Sequence, residues 1–117
     1  MRPGETVVVR LCREAVDFRK SIDGLSSLVE QTLGLDPFKA ELFVFTNRRR
    51  DKLKILYWDR SGFALWYKRL EQARFPWPTD ETLRVVEMTG RELAWLLDGM
   101  DFFRLTPHET LCYRSAG

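Results

Sequence analysis

TNRRRDKLKILYWDRSGFALWYKRLEQARFPWP, residues 46–78, decides the fold, because it holds two aromatic and aliphatic runs, each entered through a polar turn. Leu53–Trp58 and Phe63–Leu70 read as strands joined at Asp59-Arg60-Ser61-Gly62, and Leu42–Phe45 just upstream reads as a third. Together they predict a three-stranded antiparallel meander. Two registers compete at the second turn. A two-residue loop at Arg60 and Ser61 places Trp58 on the face of Phe63; a three-residue loop ending at Gly62 places it with Ala64, Trp66 and Lys68. One residue of slip moves every side chain to the other face. The longer loop is preferred, because Gly62 suits a left-handed position and Lys54, Trp58, Trp66 and Lys68 then share one side.

Upstream, Thr6–Cys12 (TVVVRLC) is short, β-branched and preceded by Pro3 and Gly4, which argues for a buried strand. Phe18, Ile22, Leu25, Val29 and Leu33 recur at three- and four-residue steps and mark one face of an amphipathic helix. Either Asp17 or Ser21 caps it, and Gly34 followed by Asp36-Pro37 ends it. Gly24 inside the helix costs about 1 kcal/mol relative to alanine, which requires either a close approach there or a later helix start. Downstream, Phe75-Pro76-Trp77-Pro78 is extended by its prolines and Leu83–Met88 reads as a further strand. Thr89 with Glu92 three residues on is a capping-box signature, opening a second helix with Leu93, Leu96, Leu97 and Met100 on its apolar face and Gly99 at its end. The expected architecture is α+β: a mostly antiparallel sheet of about five strands with two flanking helices. Residues 1–104 make the expected single domain and 105–117 a C-terminal tail.

The 117 residues are enough for one domain with a real core, and 44% hydrophobic content supports a globular chain. No apolar run approaches membrane-spanning length, and MRPGETVVV has neither a signal-peptide core nor a cleavage site, so no membrane association and a cytoplasmic location are expected. Cys12 and Cys112 are expected as reduced thiols. Catalytic residues, a metal site and a cofactor are not expected. The single histidine, His108, has no evident triad partners, and two distant cysteines supply no zinc-ligand spacing. No glycine-rich phosphate loop joins a strand to a helix. Asp17, Asp23, Asp51 and Asp59 form a metal-dependent nuclease site only if they converge in space.

Charge is the stronger signal. Between Asn47 and Arg74, nine cations (Arg48, Arg49, Arg50, Lys52, Lys54, Arg60, Lys68, Arg69, Arg74) against Asp51, Asp59 and Glu71 leave +6, so with an overall +2 the remainder carries −4. Such polarisation, interleaved with aromatics, is the composition of a surface that meets an anionic partner. Arginine offers a planar fork to phosphate oxygens and lysine a flexible point charge. Arg48, Arg49, Arg50, Lys52, Lys54, Lys68 and Arg69 are therefore the candidate nucleic-acid contacts. Trp58, Trp66, Tyr67 and Trp77 are candidate stacking residues, with core packing as the competing role.

DFRKSIDGLSSLV, LFVFTNRRRDKLKILYWDRSGFALWYKRLEQARFPWP and ELAWLLDGMD together resemble one family over about residues 6–104. It is the TnpB-type accessory protein, the product of the second reading frame of the bacterial insertion-sequence family numbered sixty-six. It is unrelated to the RNA-guided nuclease of the same name. The resemblance implies a role in DNA transposition beside a separate transposase that carries the catalytic acids. Transposon DNA and that transposase are the partners it implies, and only the basic hairpin, Arg48–Lys54, transfers as a binding element. A second reading makes the basic face a docking module for the transposase without direct DNA contact. No oligomeric state is implied.

Overall fold

The run Glu41–Thr46 forms a strand with no exposed face, and the rest of the molecule is arranged to cover it. Its hydrophobic residues alternate between two separate cores, Leu42 and Val44 in one, Phe43 and Phe45 in the other. The structure, a computed structural model, describes residues 6–99. Strands β1 (Val8–Cys12), β2 (Glu41–Thr46), β3 (Lys52–Asp59), β4 (Gly62–Arg69) and β5 (Val85–Thr89) lie in the order β4-β3-β2-β1-β5. Only β1 and β2 run parallel, joined through the first helix; every other pairing is antiparallel. The five-stranded, mostly antiparallel sheet with a helix on each face is the α+β fold expected from the sequence.

Helix α1 (Ile22–Ser27) continues as a π-helical turn over Leu28–Thr32 and covers Phe43, Phe45 and Leu56 with Leu25 and Val29. Ser21, not Asp17, stands at its N-cap, although its hydroxyl makes no capping bond. Asp17 instead closes the preceding turn, accepting from the Arg19 backbone N–H at 2.9 Å and from its guanidinium at 2.7 Å. Gly24 lies in the first helical turn, where an added Cβ would stand 3.1 Å from Lys20 Cβ, so helix start and close approach both explain it. The wider π turn was not signalled by the apolar spacing. It ends at Gly34, whose φ of +67° lets the Leu35 N–H reach back to the Val29 carbonyl at 2.9 Å.

On the opposite face, α2 (Gly90–Leu97) packs Leu93, Leu96 and Leu97 over Val9, Leu11, Val44 and Ile55, and Phe75 and Trp77 extend the same core. Its capping box is complete: Thr89 Oγ1 accepts the Glu92 N–H at 3.1 Å and Glu92 accepts the Thr89 N–H at 2.8 Å. Gly99, at φ +81°, follows the last turn and donates to the Leu96 carbonyl. Cys12 is buried beneath α1, and that burial pushes its thiol up to about 11. The Met100 position of the expected helix face, His108, Cys112 and the expected tail lie outside the described residues.

The register of β3 and β4 corrects the preferred reading. Trp58 pairs with Phe63 and Asp59 with Gly62, so the loop is the two-residue Arg60-Ser61. Arg60, not Gly62, takes the left-handed conformation, at φ 57°, and the Ser61 N–H turns back to the Asp59 carbonyl. Leu65 consequently lies opposite Leu56 and packs under α1, while Trp66 lies opposite Ile55 and packs on the α2 side. Lys54 and Trp58 thus occupy one face of the sheet, and Trp66 and Lys68 the other.

Left-handed backbone is costly for residues with a Cβ by about 1–2 kcal/mol. Gly34→Ala should therefore lower the unfolding free energy by about 1 kcal/mol in urea denaturation. By contrast, Arg60→Gly should leave it unchanged or raise it by up to about 1 kcal/mol, strain relief offsetting the added chain entropy. A clear loss of stability in Arg60→Gly would contradict the two-residue loop.

Candidate nucleic-acid interface

The turn between β2 and β3 is built around the side chain of Asn47. Its amide Nδ2 donates to Asp51 Oδ1 at 2.7 Å, and its Oδ1 accepts the Lys52 N–H at 3.1 Å. Thr46 Oγ1 donates to the Lys52 carbonyl at 2.9 Å, and the Arg50 N–H closes onto the Asn47 carbonyl at 3.1 Å. Arg50 completes the bend with φ 60°. A neighbouring segment grips the same turn from outside, since Leu70 N–H donates to the Asp51 carbonyl and Phe75 N–H to the Arg50 carbonyl, each at 2.7 Å. These bonds pin the backbone on both sides of Arg48 and Arg49. Arg48, Arg49 and Arg50 are exposed, and none forms an ion pair or side-chain hydrogen bond with a described residue. The nearby acid is already engaged: the Asn47 amide, with smaller help from the charges of Arg49 and Lys52, holds the Asp51 carboxyl below its usual range.

The other sequence candidates divide. Lys52, half-exposed at the start of β3, pairs across the ladder with Arg69, whose Nε donates to Glu71 at 2.9 Å. Lys54 Nζ donates to the Phe18 and Lys20 carbonyls at 2.9 and 2.8 Å and lies 4.8 Å from the centre of the Phe18 ring. Desolvation there draws its pKa down. Lys68 Nζ donates to the Leu97 carbonyl at 3.0 Å, placing a cation at the C-terminal end of α2, where the helix dipole favours one. These two ammonium groups tie the loop before α1 and the end of α2 to the sheet.

Trp77 is buried, 6% exposed, with its indole N–H donated to the Arg13 carbonyl at 2.8 Å. Trp66 is half-buried against the α2-side core. Trp58 makes edge contacts with Phe38 and Phe63, ring centres 5.1 and 5.0 Å away, at the far end of the hairpin. Arg60 belongs to that far end too. The eight residues of β3 span roughly 25 Å, so Arg60 does not join the arginine turn. Arg74 does: with Arg49, Asp51 and Glu71 it lines a hollow of about 210 Å³ beside the turn. In sequence Arg74 adds to the local charge, but nothing there places it among the contacts. The backbone bond between Phe75 and Arg50 that brings it there has no periodic signature.

The profile of the family described as IS66 Orf2 like protein matches residues 7–107. The chain belongs to this family. Among curated proteins it is similar to "Uncharacterized protein y4jC" of Sinorhizobium fredii (strain NBRC 101917 / NGR234), with 34% identity over 88% of this chain and 87% of the relative. "Uncharacterized protein y4hO" of the same strain is likewise 34% identical, over 92% of this chain and 90% of the relative. No solved structure matches. Members of the IS66 Orf2-like family are accessory proteins of transposition, and that role is this chain's. Among the described residues, Asp17, Asp23, Asp51 and Asp59 do not converge, and no group of three His, Cys, Asp or Glu side chains is placed to hold a metal ion. No helix in the described residues is long and apolar enough to cross a membrane.

Hydrogen bonds to charged donors contribute about 1.5–3 kcal/mol each when well formed. Lys54→Met and Lys68→Met should each lower stability by about 1–3 kcal/mol in denaturant titration, whereas Arg48→Ala, on the exposed turn, should stay within about 0.5 kcal/mol of the parent. Asp17, held at about 2 by Arg19 against an ordinary 3.8, should show that low midpoint in a carboxyl-detected NMR titration. Because its folded value is depressed, its contribution is present above the unfolded value and is lost as pH falls from about 4 towards 2.

Proposed function

We propose that this IS66 Orf2-like protein is a non-catalytic accessory factor that contacts transposon DNA through the arginine turn and assists a separate transposase. The observation that carries the reading is the state of Arg48, Arg49 and Arg50: three successive guanidiniums, exposed and without an ion pair among the described residues, on a turn whose backbone is pinned from both sides. Charges kept only for solubility do not need so rigid a mount. Lys52 and Arg74 widen the cationic end, while Lys54 and Lys68 are spent on tying the loop before α1 and the end of α2 to the sheet. Contacts of this kind go to phosphates, so they position the protein on DNA and carry little sequence preference.

If Arg48, Arg49, Arg50, Lys52 and Arg74 each meet one phosphate, the logarithm of the duplex association constant should fall against the logarithm of salt with a slope of roughly −4 to −5. Replacing Arg48, Arg49 and Arg50 together by alanine should flatten that slope by about 3. Lys68→Met should leave it unchanged despite lower stability. A triple variant with the parental slope sinks the assignment. A parent that ignores DNA at low salt yet retains the transposase on a column would instead favour docking through the same face.

A further inference from the structure

A cleft lies beside the arginine turn, on the α1 side of the sheet. Its walls are Phe18, Lys52, Lys54 and Tyr67, and its volume is about 270 Å³, just below the roughly 300 Å³ at which drug-sized pockets begin. It has room for one planar ring. The ladder explains its chemistry, since Lys52 lies opposite Arg69 and Lys54 opposite Tyr67, and strand alternation puts all four on the α1 side. At one wall Lys54 is committed to the Phe18 and Lys20 carbonyls, which fixes the Phe18 ring in place. Tyr67 stands 6.4 Å from Phe18, centre to centre, with the planes inclined at 54°, leaving its ring only partly covered. At 49% exposure it is one of two large hydrophobic side chains left open to solvent among the described residues. Lys52, at the rim, is two residues from Arg50.

We infer that this cleft receives one unpaired base of a DNA strand, stacked on Tyr67, with Lys52 on the adjoining phosphate and the arginine turn on the phosphates beyond. An exposed aromatic ring between cations is the means by which proteins hold unpaired nucleotides, because every base has a stackable face and every linkage a charge. A continuous duplex cannot supply that base without unstacking it. The inference rests on the DNA-contact reading and adds strandedness to it. Of the four aromatic stacking candidates Tyr67 alone lines this cleft: Trp77 is in the core, Trp66 packs on the other face, and Trp58 lies at the far end of the hairpin.

The test uses the full chain with two probes, a short single-stranded oligodeoxynucleotide carrying one fluorescent adenine analogue and a blunt duplex. Binding should change the analogue's emission in the single strand. Tyr67→Ala should weaken single-strand affinity roughly 5- to 100-fold while leaving duplex affinity and salt slope as they were, and Tyr67→Phe should retain single-strand binding. Lys52→Ala should flatten the single-strand salt slope by about 0.7. If duplex binding depends on Arg48–Arg50 but Tyr67→Ala is silent on both probes, stacking is overturned and DNA contact stands. If neither probe binds the parent, both fall. Thermal unfolding of Tyr67→Ala at the parental temperature confirms that a loss is not a folding defect.

Discussion

Burial of β2 on both faces is the constraint from which the rest of the molecule follows. Phe43 and Phe45 are wholly inaccessible on one side and Val44 on the other, and each fully buried side chain of this kind contributes about 1.5–3 kcal/mol. A strand of that sort needs a cover above and below, which explains why α1 follows β1 on one face and α2 follows β5 on the other. It also needs a partner on each edge, supplied by β3 and by β1. Arg10, half-buried on β1, is paired across strands, reaching Glu41 at 3.3 Å and Glu87 at 3.1 Å on the strands to either side.

With both faces closed over β2, the chain's cations concentrate at the strand ends and on the edge pair β3 and β4. The arginine turn is the connection leaving β2, so its location follows from where that buried strand must stop. Thr46 illustrates the transition. It is itself buried, yet its hydroxyl already serves the turn by bonding to the Lys52 carbonyl. Position of the charge and rigidity of its mount therefore have a common origin in the buried strand.

Much of this was legible in the residues because it depends on local pattern. Short aromatic, aliphatic and β-branched runs between polar turns announced the strands, the Thr89 and Glu92 spacing announced the second helix with its capping box, and Gly34 marked the end of the first. What escaped was whatever a single residue can decide. The β3–β4 register turned on whether Arg60 or Gly62 would take the left-handed position, and preference for glycine pointed to the wrong one. Pairing Leu65 with Leu56 and Trp66 with Ile55 buries apolar surface on both faces, and that tertiary gain outweighs the local cost at Arg60. The π-helical turn at Leu28–Thr32 escaped for a similar reason, since spacings of three and four residues do not reveal one inserted residue.

Charge counting proved coarser than charge placement. Nine cations in one stretch look equivalent in sequence, but folding assigns them different tasks. A lysine's flexible stem and compact head can cross the sheet surface and satisfy carbonyls that a turn or helix end leaves open, as Lys54 and Lys68 do. Arginines of the β2–β3 turn make no such bond to a described residue, and their turn is held by Asn47 and by backbone bonds that do not involve guanidinium groups. Removing an arginine head there leaves the scaffold intact, whereas removing a lysine head unties the loop before α1 or the end of α2 from the sheet. The basic surface is therefore smaller than its composition, lies at one end of the hairpin, and owes its shape to Asn47 and the backbone bonds around it.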